Sequence, residues 1–252
     1  LKGRKLVNLD SEEEGVFTVS CAGGVRVDCF LPGKKAPLNG ELGYEISLEG
    51  LLGGHSGAEI HKVRASANQV MGRVLYSAME CVPGLRLADI RGGKFDNVIC
   101  SRNHAKVAVP ADQAGEFEAF IRAFAGALKN EYAGCDGGIT LACERTALDG
   151  ALSSEATGNV LRTLLAVPQG VQAMNVDFPG LVQTSLNMGV MELKEDGLYF
   201  GISVRSCIAT QKEMMIQRLK AILELGGGSF TLRGNYPGWQ YDRNSALREE
   251  VL

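Results

Sequence analysis

Apolar residues recur at three- and four-residue steps in four stretches of the chain, and each stretch predicts an amphipathic helix. The first covers about His61 to Cys81, with Ala67, Val70, Met71, Val74, Leu75 and Ala78 on one stripe, and Pro83-Gly84 stops it. The second follows Pro110-Ala111-Asp112, with Asp112 as its expected N-cap, and carries Phe117, Phe120, Ile121, Phe124 and Leu128. The third follows Ser153-Ser154, presents Val160, Leu161, Leu164 and Leu165, and ends before Pro168. The fourth runs from Thr210 to Leu225 with Met214 and Met215, Leu219, Ile222 and Leu223 assigned to its apolar face; Gly226-Gly227-Gly228 is a strong helix end.

Strand-like runs separate these helices at residues 25–31, 44–48, 85–90, 98–109, 139–144, 183–193, 198–204 and 230–233. Asp196-Gly197 reads as the turn of a hairpin between two of them. From Glu41 to Arg145 the order is strand, helix, strand, strand, helix, strand. From Ser153 to Gly234 the order repeats without its leading strand, which residues 25–31 are placed to supply. The predicted fold is α+β: two ferredoxin-like units with antiparallel sheet and helices on one face, leaving the other face free to bind.

Composition narrows the function. The chain has 252 residues, 45% hydrophobic and 22% charged, which is ordinary for a globular protein. A formal net charge of −3 without a basic stripe argues against nucleic acid as a partner. There is neither a signal peptide nor a long apolar span, and the seven cysteines are scattered without a CxxC spacing. Cys29, Cys100, Cys143 and Cys207 lie in apolar or strand-like runs, as buried free thiols do. A reducing, cytoplasmic setting is expected, with no membrane. The chain opens at Leu1 without Met, and it stops inside a stretch that reads as a helix starting near Arg243. A piece of a longer protein is the simplest expectation from those ends.

Four polar segments carry candidate chemistry. Asn8-Leu9-Asp10-Ser11-Glu12-Glu13-Glu14-Gly15 places an acidic residue where a strand enters a turn, compatible with a cation ligand and with a solvated turn. Gly53-Gly54-His55-Ser56-Gly57 joins a strand to the first helix and holds an imidazole at the tip of a glycine-rich loop. It lacks the Gly-Lys-Ser/Thr ending of a phosphate loop, and His55 and His61 do not share a helical face for one metal. Arg91-Gly92-Gly93-Lys94-Phe95-Asp96-Asn97 is a polar turn whose Asn97 offers a donor and an acceptor. Arg205, at a strand end, is suited to a bidentate grip on a carboxylate, and equally to an ion pair or a solvated position. Trp239, Tyr236 and Tyr241 are expected to pack near a domain junction, and His104 to be exposed in its strand.

Together these segments resemble the aminoacyl-histidine (Xaa-His) dipeptidases of the di-zinc peptidase family that includes carnosinase and aminoacylase. The resemblance rests on residues 8–15, Cys-Ala-Gly-Gly at 21–24, the His loop at 53–62, the turn at 91–97, Pro-Gly-Leu-Val-Gln-Thr-Ser-Leu-Asn-Met-Gly at 179–189, Val-Arg-Ser at 204–206 and Gly-Asn-Tyr-Pro-Gly-Trp at 234–239. It implies a lid and dimerisation domain at residues 15–234, with 1–14 and 235–252 leaving and re-entering a catalytic domain. By the same resemblance, Asp10 is a zinc ligand and His55 the lid histidine that steadies the oxyanion, often in the partner subunit's site. Asn97 and Arg205 bind the substrate's backbone and terminal carboxylate. The implied function is a zinc-dependent hydrolysis of Xaa-His or similar short dipeptides by a homodimer with two zinc ions per intact subunit. This stretch would supply lid, dimer contacts and substrate-binding residues, and would by itself bind no zinc and be inactive. The family's His-x-Asp pair, Glu-Glu pair and late His ligand have no counterpart in the chain. Val63 and Ser66 stand where Gly and Asn are expected, and Cys207 follows Arg-Ser. A stand-alone, non-catalytic dimerisation or binding module, and a related deacylase or aminopeptidase, are the alternative readings.

Overall fold

The structure is a computed structural model and describes residues 15–251. Its strands are β1 (Gly23–Pro32), β2 (Lys35–Ala36), β3 (Leu42–Glu49), β4 (Gly54–His55), β5 (Arg86–Gly92), β6 (Val98–Ile99), β7 (Asn103–Val109), β8 (Thr140–Arg145), β9 (Ala151–Leu152), β10 (Gly170–Met174), β11 (Val182–Leu193), β12 (Gly197–Ser206) and β13 (Ser229–Tyr236). Its helices are α1 (Ala67–Cys81), α2 (Ala114–Glu131), α3 (Ser154–Ala166), α4 (Ala209–Leu225) and α5 (Ala246–Val251).

The main sheet runs β13-β1-β12-β11-β5-β7-β3-β8, with β10 added on β11, and its pairings are antiparallel. It splits into two units of identical topology. In one, β3, α1, β5, β7, α2 and β8 follow each other along the chain, and in space the fourth strand lies beside the first, then the third, then the second. In the other, β1, α3, β11, β12, α4 and β13 do the same, so β1 supplies the leading strand. Each is a ferredoxin-like βαββαβ arrangement, and the first is inserted into the second between β1 and α3. They join edge to edge, where Met191 and Glu192 of β11 pair with Gly92 and Arg91 of β5.

The helices form one layer. Along β1, Val25, Val27, Cys29 and Leu31 are buried beneath them, while Arg26 and Asp28 alternate onto the bare face. The α1 stripe of Val70, Met71, Val74, Leu75 and Ala78 is buried, and Tyr44 and Phe117 pack at 5.0 Å between ring centroids under α2. Helices α1 and α3 meet across the unit boundary at Gly72, where a Cβ would sit 3.0 Å from that of Leu164. Thr157 on α3 crosses the same boundary, its Oγ1 accepting from the β5 amide of Leu87 at 3.0 Å.

Several local expectations need correction. The first helix starts at Ala67, not near His61: a single 3-10 turn at Ile60–Lys62 is cut off by Val63, whose φ of 54° reverses the chain. Asp112 lies inside a 3-10 turn, Ala111–Gln113, and caps nothing. The run 98–109 is two strands, because Ile99 and Cys100 turn inward and the Cys100 carbonyl accepts from Ala67. Met215 is buried but Met214 is half exposed, so the two do not share a face. Cys143 is only partly buried, unlike Cys29, Cys100 and Cys207; all seven cysteines are free. By contrast, Ser153 caps α3 by accepting from Ala156 at 3.1 Å, and the glycines after α4 close it, with Gly228 donating to Leu223 at 2.7 Å.

The segment before β1 and the segment after β13 lie side by side, Cys21 and Trp239 exchanging two backbone hydrogen bonds of 2.8 Å. Strand β13 runs to Tyr236, beyond the strand-like run 230–233. Trp239 and Tyr236 are exposed among the described residues, and Tyr241 meets Phe178 edge-on at 4.7 Å.

Candidate active-site surface

His55 ends the two-residue strand β4, which pairs with β6. That pairing sets His55 opposite Val98 and lets the Ser56 amide donate to the Asn97 carbonyl at 2.9 Å, so two segments some forty residues apart share one small ribbon. The imidazole is held from one side. Its Nδ1 accepts from the amides of Gly57 (3.2 Å) and Ala58 (3.1 Å). An Nδ1 engaged as acceptor leaves the neutral ring with its hydrogen on Nε2, an outward-facing donor.

The loop is stitched internally by Glu59. Its carboxylate accepts from the His55 amide at 3.0 Å and pairs with Lys62 (3.0 Å) and Arg64 (2.9 Å), while Arg64 also donates to the Gly53 carbonyl. The Lys62 hydrogen bond and the His55 amide hold this carboxyl down at about 2. At its two ends the loop is held by Asp136, a fully buried residue between α2 and β8: one carboxylate oxygen accepts from Leu52 (2.7 Å), the other from Ala65 (2.8 Å).

Arg205 comes from β12, in the other unit. Gly57 lies between it and His55: a Cβ there would stand 3.0 Å from His55 Cε1 and 3.4 Å from Arg205 Cζ. The neighbouring guanidiniums are taken, Arg26 by Asp96 at 2.5 Å and Arg233 by Asp28 at 2.7 Å. Arg205 has no ion pair among the described residues, and its buried Nε has no hydrogen-bond partner. It lines a cleft of roughly 450 Å³ on the bare face of the sheet, together with Gly24, Arg26, Asp96, Asn97 and Ser203. The Asn97 side-chain amide is likewise without a hydrogen bond among the described residues. An unpaired guanidinium beside a free amide and an imidazole N–H donor is a surface suited to a carboxylate and a polarised carbonyl.

The structure thus brings His55, Asn97 and Arg205 to one place. Asp10 lies outside the described residues. Two supporting residues escaped the sequence reading. Asp136 is one. The other is Asn187 on β11, fully buried, whose amide donates to the carbonyls of Asp96 and Val98 at 2.9 Å each and so holds the turn that carries Asn97. Asn187 lay within the motif at 179–189, but nothing in its spacing pointed across the unit boundary. Gly93, at φ 74°, and Gly189 let that turn lie on β11: a Cβ on Gly93 would come within 1.8 Å of the Gly189 carbonyl oxygen. Cysteine offers no nucleophile here; Cys29, for one, has its thiol pushed up by burial. His104 sits half-buried on the bare face between Glu45 and Glu49, away from the cleft.

Comparison with known proteins bears on the fold as a whole. Residues 46–135, nearly the whole of the inserted unit, match the peptidase dimerisation domain of the M20 type. The chain is 35% identical over 249 residues to the cytosol non-specific dipeptidase of Escherichia coli K12, covering 98% of this chain and 51% of that protein. The crystal structure of an aminoacylhistidine dipeptidase from Vibrio alginolyticus superposes with a TM-score of 0.93 at 32% identity, over 99% of this chain and 51% of the other. The chain therefore spans about half the length of each relative. Two units of one topology, a histidine loop in the unit that matches the dimerisation domain, and a whole-chain superposition lead to one conclusion: residues 46–135 form an M20-type peptidase dimerisation domain, and the chain as a whole has the fold of the matching half of an aminoacylhistidine dipeptidase.

Proposed function

We propose that this chain is the lid of a dipeptidase acting on Xaa-His or similar short dipeptides, and that His55, Asn97 and Arg205 are its contacts with the substrate. The observation that carries the reading is that Asn97 and Arg205, from two topological units, line one cleft, with His55 next to Arg205 across Gly57, and that the Arg205 guanidinium has no ion pair among the described residues. Peptide hydrolysis builds negative charge on the carbonyl oxygen, and a fixed donor at that oxygen lowers the barrier. The Nε2–H of His55 is such a donor, held by two backbone amides. Arg205 takes the terminal carboxylate, and Asn97 the backbone of the dipeptide. In the domain assignment that accompanies this reading, residues 15–234 are the lid and the flanking segments lead into a catalytic domain.

Zinc is the cofactor the resemblance implies. Among the described residues no group of three or more His, Cys, Asp or Glu could hold a metal ion, and Asp10 is outside them. These residues do not fit a zinc site, so the roles assigned to this chain are binding, orientation and hydrogen bonding. A homodimer is supported by the dimerisation-domain match. A cytoplasmic setting is supported by the free cysteines and by the name of the E. coli relative. No described helix is long and apolar enough to cross a membrane.

Replacing His55 by alanine in the full-length protein tests the reading. The expected result is a loss in kcat of about 10²–10³, the typical effect of removing an oxyanion donor, with an unchanged melting temperature. Unchanged turnover of dipeptides would overturn the assignment.

A further inference from the structure

We propose that Asp136 is a positioning residue for catalysis, acting through His55. The inference deepens the function proposed above and rests on it. Asp136 is 1% exposed, and a carboxylate so deeply buried needs charge-assisted partners to offset its lost hydration. Both of its oxygens are committed to the same loop, Oδ1 to the amide of Leu52 and Oδ2 to the amide of Ala65. These amides stand where the chain leaves β3 for the His55 loop and where it returns to α1, so one side chain clasps both ends of the segment.

The clasp is the outer of three restraints; nearest His55, β4 pairs with β6 and the Ser56 amide donates to the Asn97 carbonyl. Glu59 and Arg64 tie the loop to itself, but their partners all lie within residues 53–64 and move with it. Asp136 ties the loop to the body of the unit, since its own amide donates to the Tyr132 carbonyl at the end of α2, at 2.8 Å. Together with the β4–β6 pairing, its position sets how far the His55 imidazole stands from Arg205. Catalytic groups lose rate steeply when displaced by about 1 Å, so the clasp acts on turnover rather than on affinity.

The test is a double-mutant cycle in the full-length protein. Asp136→Asn keeps the shape but offers one acceptor in place of two, so one loop amide faces an NH2 group. The expected result is a fall in kcat of about tenfold, with KM changed less than about twofold. In the His55→Ala background the same substitution should cause no further fall. Losses that multiply in the double variant would make Asp136 a general stabilising residue and overturn the proposal. The His55→Ala variant alone reports on the function reading, so failure of the two readings can be told apart. Amide hydrogen exchange in the unaltered protein gives an independent arm that needs no variant. Leu52 and Ala65 should be protected as strongly as the amides of β3, and exchange at the rate of an exposed loop would also overturn the clasp.

Discussion

Val63 shows how a single residue records a conflict between sequence and backbone. It is the one non-glycine residue with positive φ among those described, at 54°, and its side chain is 78% exposed. A β-branched residue in this region is strained by roughly 1–2 kcal/mol, and little packing is gained in return. The family resemblance expects glycine at this position, and the backbone explains why. Val63→Gly should raise stability by about 1 kcal/mol, the relief being partly offset by the entropy glycine adds to the unfolded chain. Thermal melting would show it as a rise of about 2–4 °C for a chain of this size; a lower melting temperature would mean that Val63 is not strained. Ser66, a second departure, has a buried Oγ without a partner among the described residues and starts α1 without a side-chain cap. Residues were legible where they carried their own signal, as His55 did within its glycines. Asp136 carried none: it acts on amides 71 and 84 positions away, a relation that only the folded chain creates.

Among the elements, those with a strong period were legible, and those set by tertiary contact were not. The helix stripes and the long strands β1, β11 and β12 appear within a few residues of where their patterns end. The two-residue strands β2, β4, β6 and β9 have no period to detect, yet β4 and β6 form the ribbon that joins His55 to Asn97. The His55 loop is itself an element held by charge. Because the folded Glu59 carboxyl titrates at about 2 rather than at its ordinary 4.5, its contribution is complete above the ordinary value and is lost only as the pH falls through about 2. An acid titration followed by the His55 amide resonance should therefore show its transition near the lower value. A midpoint near 4.5 would mean that the Lys62 and His55 contacts to Glu59 do not persist in solution.

At the scale of the whole molecule, the repeated strand-helix order foretold two units, and the leading strand of the second was found where residues 25–31 had been placed. What the order could not show is how the units meet. They join through β5 and β11, with α1 on α3 above them, and the cleft lies between β1, β12 and β13 of one unit and the Asp96–Asn97 turn of the other. Among the described residues the strand path ends at β8 and β13, with β10 a further edge beside β11; the β5 edge of the unit that matches the dimerisation domain is covered by the chain's own β11. The central claim is accordingly that His55 and Arg205 work from one chain, although such a histidine often serves the site of a partner subunit. Mixing full-length His55→Ala with full-length Arg205→Ala, under conditions that exchange subunits, tests it directly. Both wild-type residues then occur in the sample but never on the same chain. The account predicts no recovery of dipeptide turnover over either variant alone, and recovery of a substantial fraction of wild-type activity would contradict it.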